Sequence, residues 1–596
     1  MFNFNKYHRA LLIRLWHHIS PRRRGQFGLL LLLMLAASLA EICSIGAVLP
    51  FLGALTAPVR VFEHPVAQPV INAFGFTQPA QMLLPLTVVF AFAALLAGAM
   101  RLLLLWASTR LTYAAGADLS ISIYRRTLYQ PYTVHCSRNS SEIINGISNK
   151  TGSVIYIITQ LLTLASSGLM LTVILVALLS VDPFIALSAF GGFGLIYLII
   201  IQLTRSRLQA NSAQVAFEST NVIKSLQEGL GGIRDVLIDG SQETYCQVYR
   251  NADLPLRRAQ GNSSFIQSSP RFGMEALGMI LISGLAYSLA LQTDGIAKAI
   301  PVLGALALGA QRLLPVLQQA YAAWTGIQSG RESLKDALDL LDQPLPDYAD
   351  QPPATPIPFK KDIRLTQLSL RYQPESPFVL NGLNLTIPKG SRVGFIGTTG
   401  SGKSTLLDII MGLLEPSAGS LQIDGQVLTP HNQRAWQDHI SHVPQTIFLS
   451  DSTIEENIAF GVPKAQIDPA RVRQAAQQAQ IAHSIESWPQ GYQTFVGERG
   501  IRLSGGQRQR IGIARALYKQ ADVIIFDEAT NALDGETERS VMQAIEGLSQ
   551  NITLLIIAHR LTTLRNCTHV VELAGGRIKR AGTYQDIVDQ PLGAHP

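Results

Sequence analysis

Gly397-Thr398-Thr399-Gly400-Ser401-Gly402-Lys403-Ser404-Thr405 follows the short apolar run Arg392-Val393-Gly394-Phe395-Ile396 and opens onto Leu406-Leu407-Asp408-Ile409-Ile410-Met411. The order is strand, glycine-rich loop, helix start, which is the setting that the G-x-x-x-x-G-K-[ST] pattern requires. Glycines let backbone N–H groups curl around phosphate oxygens, and the start of the next helix adds the positive end of its dipole. In such a loop Lys403 reaches the β- and γ-phosphates and the Ser404 hydroxyl ligates Mg²⁺. Alone, the loop says only that a nucleoside triphosphate is used.

Later residues narrow the chemistry. Val523-Ile524-Ile525-Phe526-Asp527-Glu528 is an apolar strand ending in two carboxylates. At that position Asp527 can hold the Mg²⁺ shell and Glu528 can polarise an attacking water. His559 follows the apolar strand Thr553 to Ala558, where a contact to the γ-phosphate can be placed. Taken alone, a histidine at a strand end is more often structural. Gln445, after Val443-Pro444, carries no signal by itself.

The other half of the chain is apolar. With 596 residues the protein exceeds one core, and only 15% of them are charged, which points to a membrane-embedded portion. Six long apolar stretches lie at roughly 26–55, 80–110, 153–180, 183–204, 264–292 and 296–327. Each is long enough to cross ~30 Å of hydrocarbon. Residues 1–24 mix aromatics with Lys and Arg and read as an amphipathic segment on the cytoplasmic membrane surface. The four cysteines are far apart and form no CxxC pair, so neither a metal site nor a disulfide scaffold is expected.

Loop charge sets the orientation. The 111–152 loop carries Arg125, Arg126, Arg138 and Lys150, and the 205–262 loop carries Arg205, Arg207, Lys224, Arg234, Arg250, Arg257 and Arg258. The 56–79 loop offers only Arg60. Basic loops favour the cytoplasm, so six helices cross with both termini inside, where ATP is. Helical periodicity continues through both basic loops, which predicts cytoplasmic extensions of the membrane helices. Proline-rich stretches at 342–346 and 351–356 then precede a soluble α/β pattern, with strands expected over 363–370, 379–387 and 393–396. The expected organisation is a transmembrane domain over 1–335, a linker over 336–360 and a nucleotide domain over 361–596.

Leu503-Ser504-Gly505-Gly506-Gln507 and the helix after it complete a set that resembles the ATP-binding-cassette proteins. Six spans followed by one cassette are similar to a half-size exporter, and the resemblance covers essentially the whole chain. It implies an exporter-type membrane α-helical domain followed by an α/β P-loop ATPase domain, with ATP and Mg²⁺ as cofactors. It also implies that Tyr372 stacks on adenine and that residues 397–405 cradle the phosphates. Gln445 stands between metal and membrane domain, and Glu498-Arg499-Gly500 resembles a segment that contacts the partner chain. Ser504, Gly505, Gly506 and Gln507 correspond to the signature, and Ser404, Gln445 and Asp527 to the metal-binding set. Glu528 corresponds to the catalytic glutamate, Asn531 to Asp534 to a dimer-contact loop, and His559 to the switch histidine. Asn531 departs from the family's usual Ser. In that family the signature binds the γ-phosphate held by the other cassette, so a chain with one cassette pairs, most simply as a C₂ homodimer.

Charges inside the spans bear on the cargo. Arg101, Arg271 and Arg312 lie on different spans and outnumber Glu41 and Glu275. Guanidinium forks suit phosphate oxygens, although structural ion pairs with those carboxylates are the competing reading. Residues 40–51, Tyr129-Gln130-Pro131-Tyr132, 270–278 and 308–315 resemble the lipid-linked oligosaccharide flippase of bacterial N-glycosylation and its polysaccharide-export relatives. That resemblance implies a polyprenyl-pyrophosphate oligosaccharide held by Arg101, Arg271 and Arg312 in the cytoplasmic (inner) membrane, with no nucleic-acid partner. The alternatives are a general lipid, drug or peptide exporter, and a non-transporting ATPase or gated channel.

Overall fold

The computed structural model describes residues 6–56, 58–63, 68, 75–181, 183–290, 313–351, 357–528, 535–547, 551–558 and 561–588. They form two compact units, Met1–Gln130 with His135–Leu345, and Pro346–Pro596 with Pro131–Val134.

The first unit is helical. Its main elements are α1 (Lys6–His18), α2 (Pro21–Thr56), α3 (Leu83–Leu128), α4 (Thr151–Val181), α5 (Pro183–Gly231) and α6 (Gln242–Ala290). Helix resumes over residues 313–329, and α7 (Arg331–Leu341) follows it. Among the described residues, Pro21–Ser44, Pro79–Leu128 and Ser140–Val176 are long and apolar enough to cross a membrane. The expected extensions are present. With 49 residues each, α5 and α6 run on through the basic segment between the fourth and fifth spans. At 1.5 Å per residue each is about 70 Å long, more than twice the hydrocarbon thickness. Their charged ends therefore project from the bilayer as continuous helix rather than loop.

The foot of this unit differs from expectation. Leu11, Leu15 and Ile19 do not face lipid; they are buried with Leu334, Leu338 and Leu341 of α7 and Ile123 of α3. Arg14 adds ion pairs to Asp339 at 2.7 Å and Asp342 at 2.5 Å. An apolar stripe at helical spacing fits a bilayer or a protein groove equally well, so periodicity alone does not name the partner. Because α7 runs to Leu341 within this unit, the first unit extends past residue 335.

The second unit is built on two sheets. β1 (Asp362–Leu370), β2 (Leu380–Pro388), β4 (Ala418–Ile423) and β5 (Gln426–Val427) form an antiparallel sheet in the order β2-β1-β4-β5. The other sheet uses β3 (Arg392–Ile396), β6 (Ile440–Val443), β7 (Val523–Asp527), β8 (Thr553–Ile557), β9 (His569–Ala574) and β10 (Arg577–Gly582). Its order is β10-β9-β3-β8-β7-β6, parallel from β9 to β6, with β10 antiparallel at the edge. One core holds Phe395, Trp436, Val523, Ile525 and Leu555 with residues of the antiparallel sheet. The other holds Ile524, Phe526, Leu554 and Ile556 with helix residues such as Ile511 and Ala514. Adjacent residues of one strand thus enter opposite cores, which is why these strands read as unbroken apolar runs.

Asp424, in the turn between β4 and β5, ties down the start of β1. Burial works against its charge. Backbone N–H groups of Lys360 at 2.6 Å, Lys361 at 2.7 Å and Asp362 at 3.0 Å outweigh that and hold the carboxyl below its ordinary range. Its contribution to stability is full above the ordinary aspartate pKa of about 3.9 and is lost as pH falls through the depressed folded value. Asp424→Asn should therefore lower the melting temperature at pH 7, with the deficit shrinking as the pH approaches 3. A pH-independent deficit in thermal melts would contradict this role.

Candidate active site

The parallel sheet delivers the site to one edge. Phe395, Ile557 and Asp527 lie in register across β3, β8 and β7, and Val443 pairs with Phe526 across β6 and β7. Every loop leaving the carboxyl ends of these strands emerges on the same side, where ligands of open α/β sheets bind. The glycine-rich loop leaves β3, Asp527 and Glu528 end β7, and Gln445 lies two residues beyond β6. His559, two residues beyond β8, lies outside the described residues, as do Asn531 to Asp534.

The loop itself depends on its glycines. Gly397 has φ +147°, and a Cβ there would stand 2.2 Å from the Leu573 carbonyl oxygen. Gly402 has φ +97° and caps α8 (Lys403–Ile410). Lys403 Nζ donates to the carbonyls of Gly397 at 2.9 Å and Thr398 at 3.0 Å, so its ammonium is drawn back over the loop. The buried Ser401 hydroxyl has no partner among the described residues. A cradle with an ammonium held by weak neutral acceptors and an orphaned hydroxyl fits phosphate oxygens. The Tyr372 hydroxyl lies 3.2 Å from Thr405 Oγ1, which places its exposed ring beside the loop.

Acidic groups converge from the neighbouring strand. Burial pushes the Asp527 carboxyl up and Glu528 adds to this, while Ser404 and Lys403 pull in the opposite direction. Asp408, on α8, is pushed up to about 6 by burial and by Asp527. No group of three His, Cys, Asp or Glu side chains among the described residues forms a metal cluster. The donor set is instead one hydroxyl and one carboxylate beside further acidic groups. That set fits Mg²⁺, which keeps waters and takes phosphate oxygens to complete its octahedron. Glu528 has φ +52°, a conformation a non-glycine residue rarely adopts. Gln445 Nε2 donates to Glu528 Oε2 at 2.7 Å, which orients the carboxylate.

Ser504 begins α9 (Gly505–Lys519) as a capping box. The Gln507 N–H donates to Ser504 Oγ at 3.2 Å, and the Ser504 N–H donates to Gln507 Oε1 at 2.9 Å. Arg508 fixes the preceding turn by donating to the Leu503 carbonyl at 3.1 Å.

Asp408 and the Gln445–Glu528 bond are the parts of this site that sequence reading does not supply. The only signal for Asp408 is an acid set among Leu406, Leu407, Ile409 and Ile410 on a short helix. The signal for Gln445 is its place just after an apolar strand, which many residues share.

In the membrane unit, Arg101 on α3 pairs with Glu41 on α2, and Arg271 on α6 pairs with Glu275 one turn along at 2.9 Å. Each pair lines a cavity, the first of about 360 Å³ and the second of about 650 Å³. Arg312 lies outside the described residues.

A P-loop ATPase unit joined to a helical membrane unit defines the class as a membrane-embedded, nucleotide-driven transporter. Comparison with known proteins agrees. The ABC transporter family description matches residues 380–531, and that of the ABC transporter transmembrane region matches residues 31–297. The ATP-dependent lipid A-core flippase of Saccharophagus degradans is 32% identical over 492 residues, covering 79% of each chain. The protein of that name from Ralstonia nicotianae is 40% identical over 230 residues, which cover 38% of this chain and 39% of the relative. A solved bacterial Atm1-family ABC exporter with ATP bound shares the fold, with a TM-score of 0.74 at 24% identity over 91% of this chain and 95% of the other. This chain belongs to the ABC transporter family, as an ATP-hydrolysing integral membrane transporter with the exporter-type fold.

Proposed function

We propose that the chain works as a homodimer that flips a polyprenyl-pyrophosphate-linked oligosaccharide, or a similar anionic glycolipid, across the cytoplasmic membrane. The observation that carries this reading is the presence of arginines lining cavities within the membrane unit, where guanidinium suits a phosphate-bearing headgroup. The basic loops support an orientation with both termini in the cytoplasm. A second reading, a glycolipid of the kind the relatives' names specify, is favoured by those names.

In the proposed cycle Tyr372 stacks on adenine, and residues 397–405 hold the phosphates. Ser404, Gln445 and Asp527 would hold Mg²⁺, which would supply charge neutralisation for the phosphoryl group. Glu528, oriented by Gln445, polarises the attacking water, and His559 contacts the γ-phosphate. Ser504, Gly505, Gly506 and Gln507 of each protomer close on the nucleotide of the other. A hydroxyl and backbone N–H groups at a helix start are suited to that anion.

Glu528→Gln keeps the shape and the hydrogen-bonding capacity of the side chain while removing its charge. ATP binding should persist while turnover falls by about 10²-fold or more; unchanged turnover would remove Glu528 from its role. For the cargo, the assay is ATP-dependent flipping of a polyprenyl-pyrophosphate oligosaccharide in proteoliposomes. Arg101→Ala, Arg271→Ala and Arg312→Ala should each retain ATP hydrolysis and lose most flipping. Wild-type protein that hydrolyses ATP but moves only a lipid A-type glycolipid would favour the second reading.

A further inference from the structure

Glu41 is an unusual residue for its position. Its side chain is only 3% exposed, inside an apolar helix, whereas that of its partner Arg101 is 54% exposed. A carboxylate sealed in a membrane helix is strongly destabilising unless it is paired. The pair bridges α2 and α3 and shares its cavity with the polar side chains of Ser38, Ser166, Ser167 and Gln319. Pro315 and Gln319 also line the second cavity, which holds Arg271 and Glu275. The acid is therefore buried against the wall, and the guanidinium opens into a cavity of mixed polar and apolar lining that shares Pro315 and Gln319 with the cavity of the second arginine.

We infer that Glu41 is a resident anion that occupies Arg101 while the cavity is empty and is displaced from it by the phosphate of the lipid headgroup. This deepens the headgroup reading above and rests on it. Charge balance decides this, because Glu41 is too deeply buried for solvent to supply a counterion in place of Arg101. With Glu41 seated, the charges of Glu41 and Arg101, the charged side chains described in this cavity, cancel and Arg101 is held in place. An incoming phosphate reaches the exposed side of the same guanidinium, whose five donors are arranged as a fork. Two consequences follow from the competition. Affinity is held down, so the headgroup can leave after crossing. A monophosphate brings at most about two negative charges on one phosphorus, whereas pyrophosphate brings more charge and more acceptor oxygens, so the site discriminates between them. Glu275 stands in a similar relation to Arg271, but it is 43% exposed and on the same helix, so its hold is weaker.

The test uses the full chain in nanodiscs, with ATP turnover measured against added undecaprenyl pyrophosphate or undecaprenyl monophosphate. Glu41→Gln should lower the half-stimulating concentration of the pyrophosphate by about tenfold. It should also narrow the preference for pyrophosphate over monophosphate, a readout that a merely structural role would leave unchanged. Glu41→Asp, which keeps the charge on a shorter arm, should shift both in the same direction by about threefold. It serves as the decisive variant if the glutamine form does not fold. Arg101→Ala should raise the half-stimulating concentration. If Arg101→Ala weakens stimulation but neither Glu41 variant tightens it, the resident-anion inference is overturned and the headgroup reading stands. If Arg101→Ala leaves pyrophosphate stimulation unchanged, both fall.

Discussion

The parallel register of β3, β8, β7 and β6 is the constraint on which the rest of the cassette depends. A parallel sheet buried on both faces sends every strand's exit loop to the same edge. That single geometric fact brings the phosphate loop, Asp527, Glu528 and Gln445 together from segments at least forty residues apart. Apolar side chains alternate into two cores to hold the register, so the chemistry is positioned by residues that take no part in it. The strained backbone at Glu528 and the left-handed glycines of the loop persist because those cores over-determine them.

Charge is handled differently in the two units. Around the phosphate loop, burial leaves Asp408 and Asp527 short of countercharge, a state that the metal-nucleotide complex is suited to relieve. In the membrane unit the opposite holds for the described arginines, since Arg101 and Arg271 each face a carboxylate. One site waits for cations and the other is already balanced. Charge favours binding at the first, and under the resident-anion proposal binding at the second would proceed by exchange.

Much of this was legible in the sequence. The phosphate loop was readable because its glycines are required by backbone geometry and its flanks change period from strand to helix. The cytoplasmic half of α5 was readable because helical periodicity continues through Val215 to Leu230, whereas α6 runs on through Pro255 and Pro270, which as sequence signals argue against a continuous helix. What escaped were pairings between distant segments. The docking of Leu11 and Leu15 on α7, the bond from Gln445 to Glu528, the influence of Asp527 on Asp408 and the choice of Glu41 by Arg101 are all tertiary. A sequence shows that a charge sits in an apolar run; it does not show which opposite charge will meet it.

The chain carries one phosphate loop, at 397–405, and one signature, at 503–507, and the account requires each to work with its counterpart in a second copy. Trans-complementation tests this most directly. Lys403→Ala and Ser504→Arg chains should each be inactive as homodimers. Mixed dimers carry both defects at one nucleotide site and none at the other, so the account predicts ATP turnover above either parent. Mixed dimers no more active than the two parents would contradict a site shared between protomers.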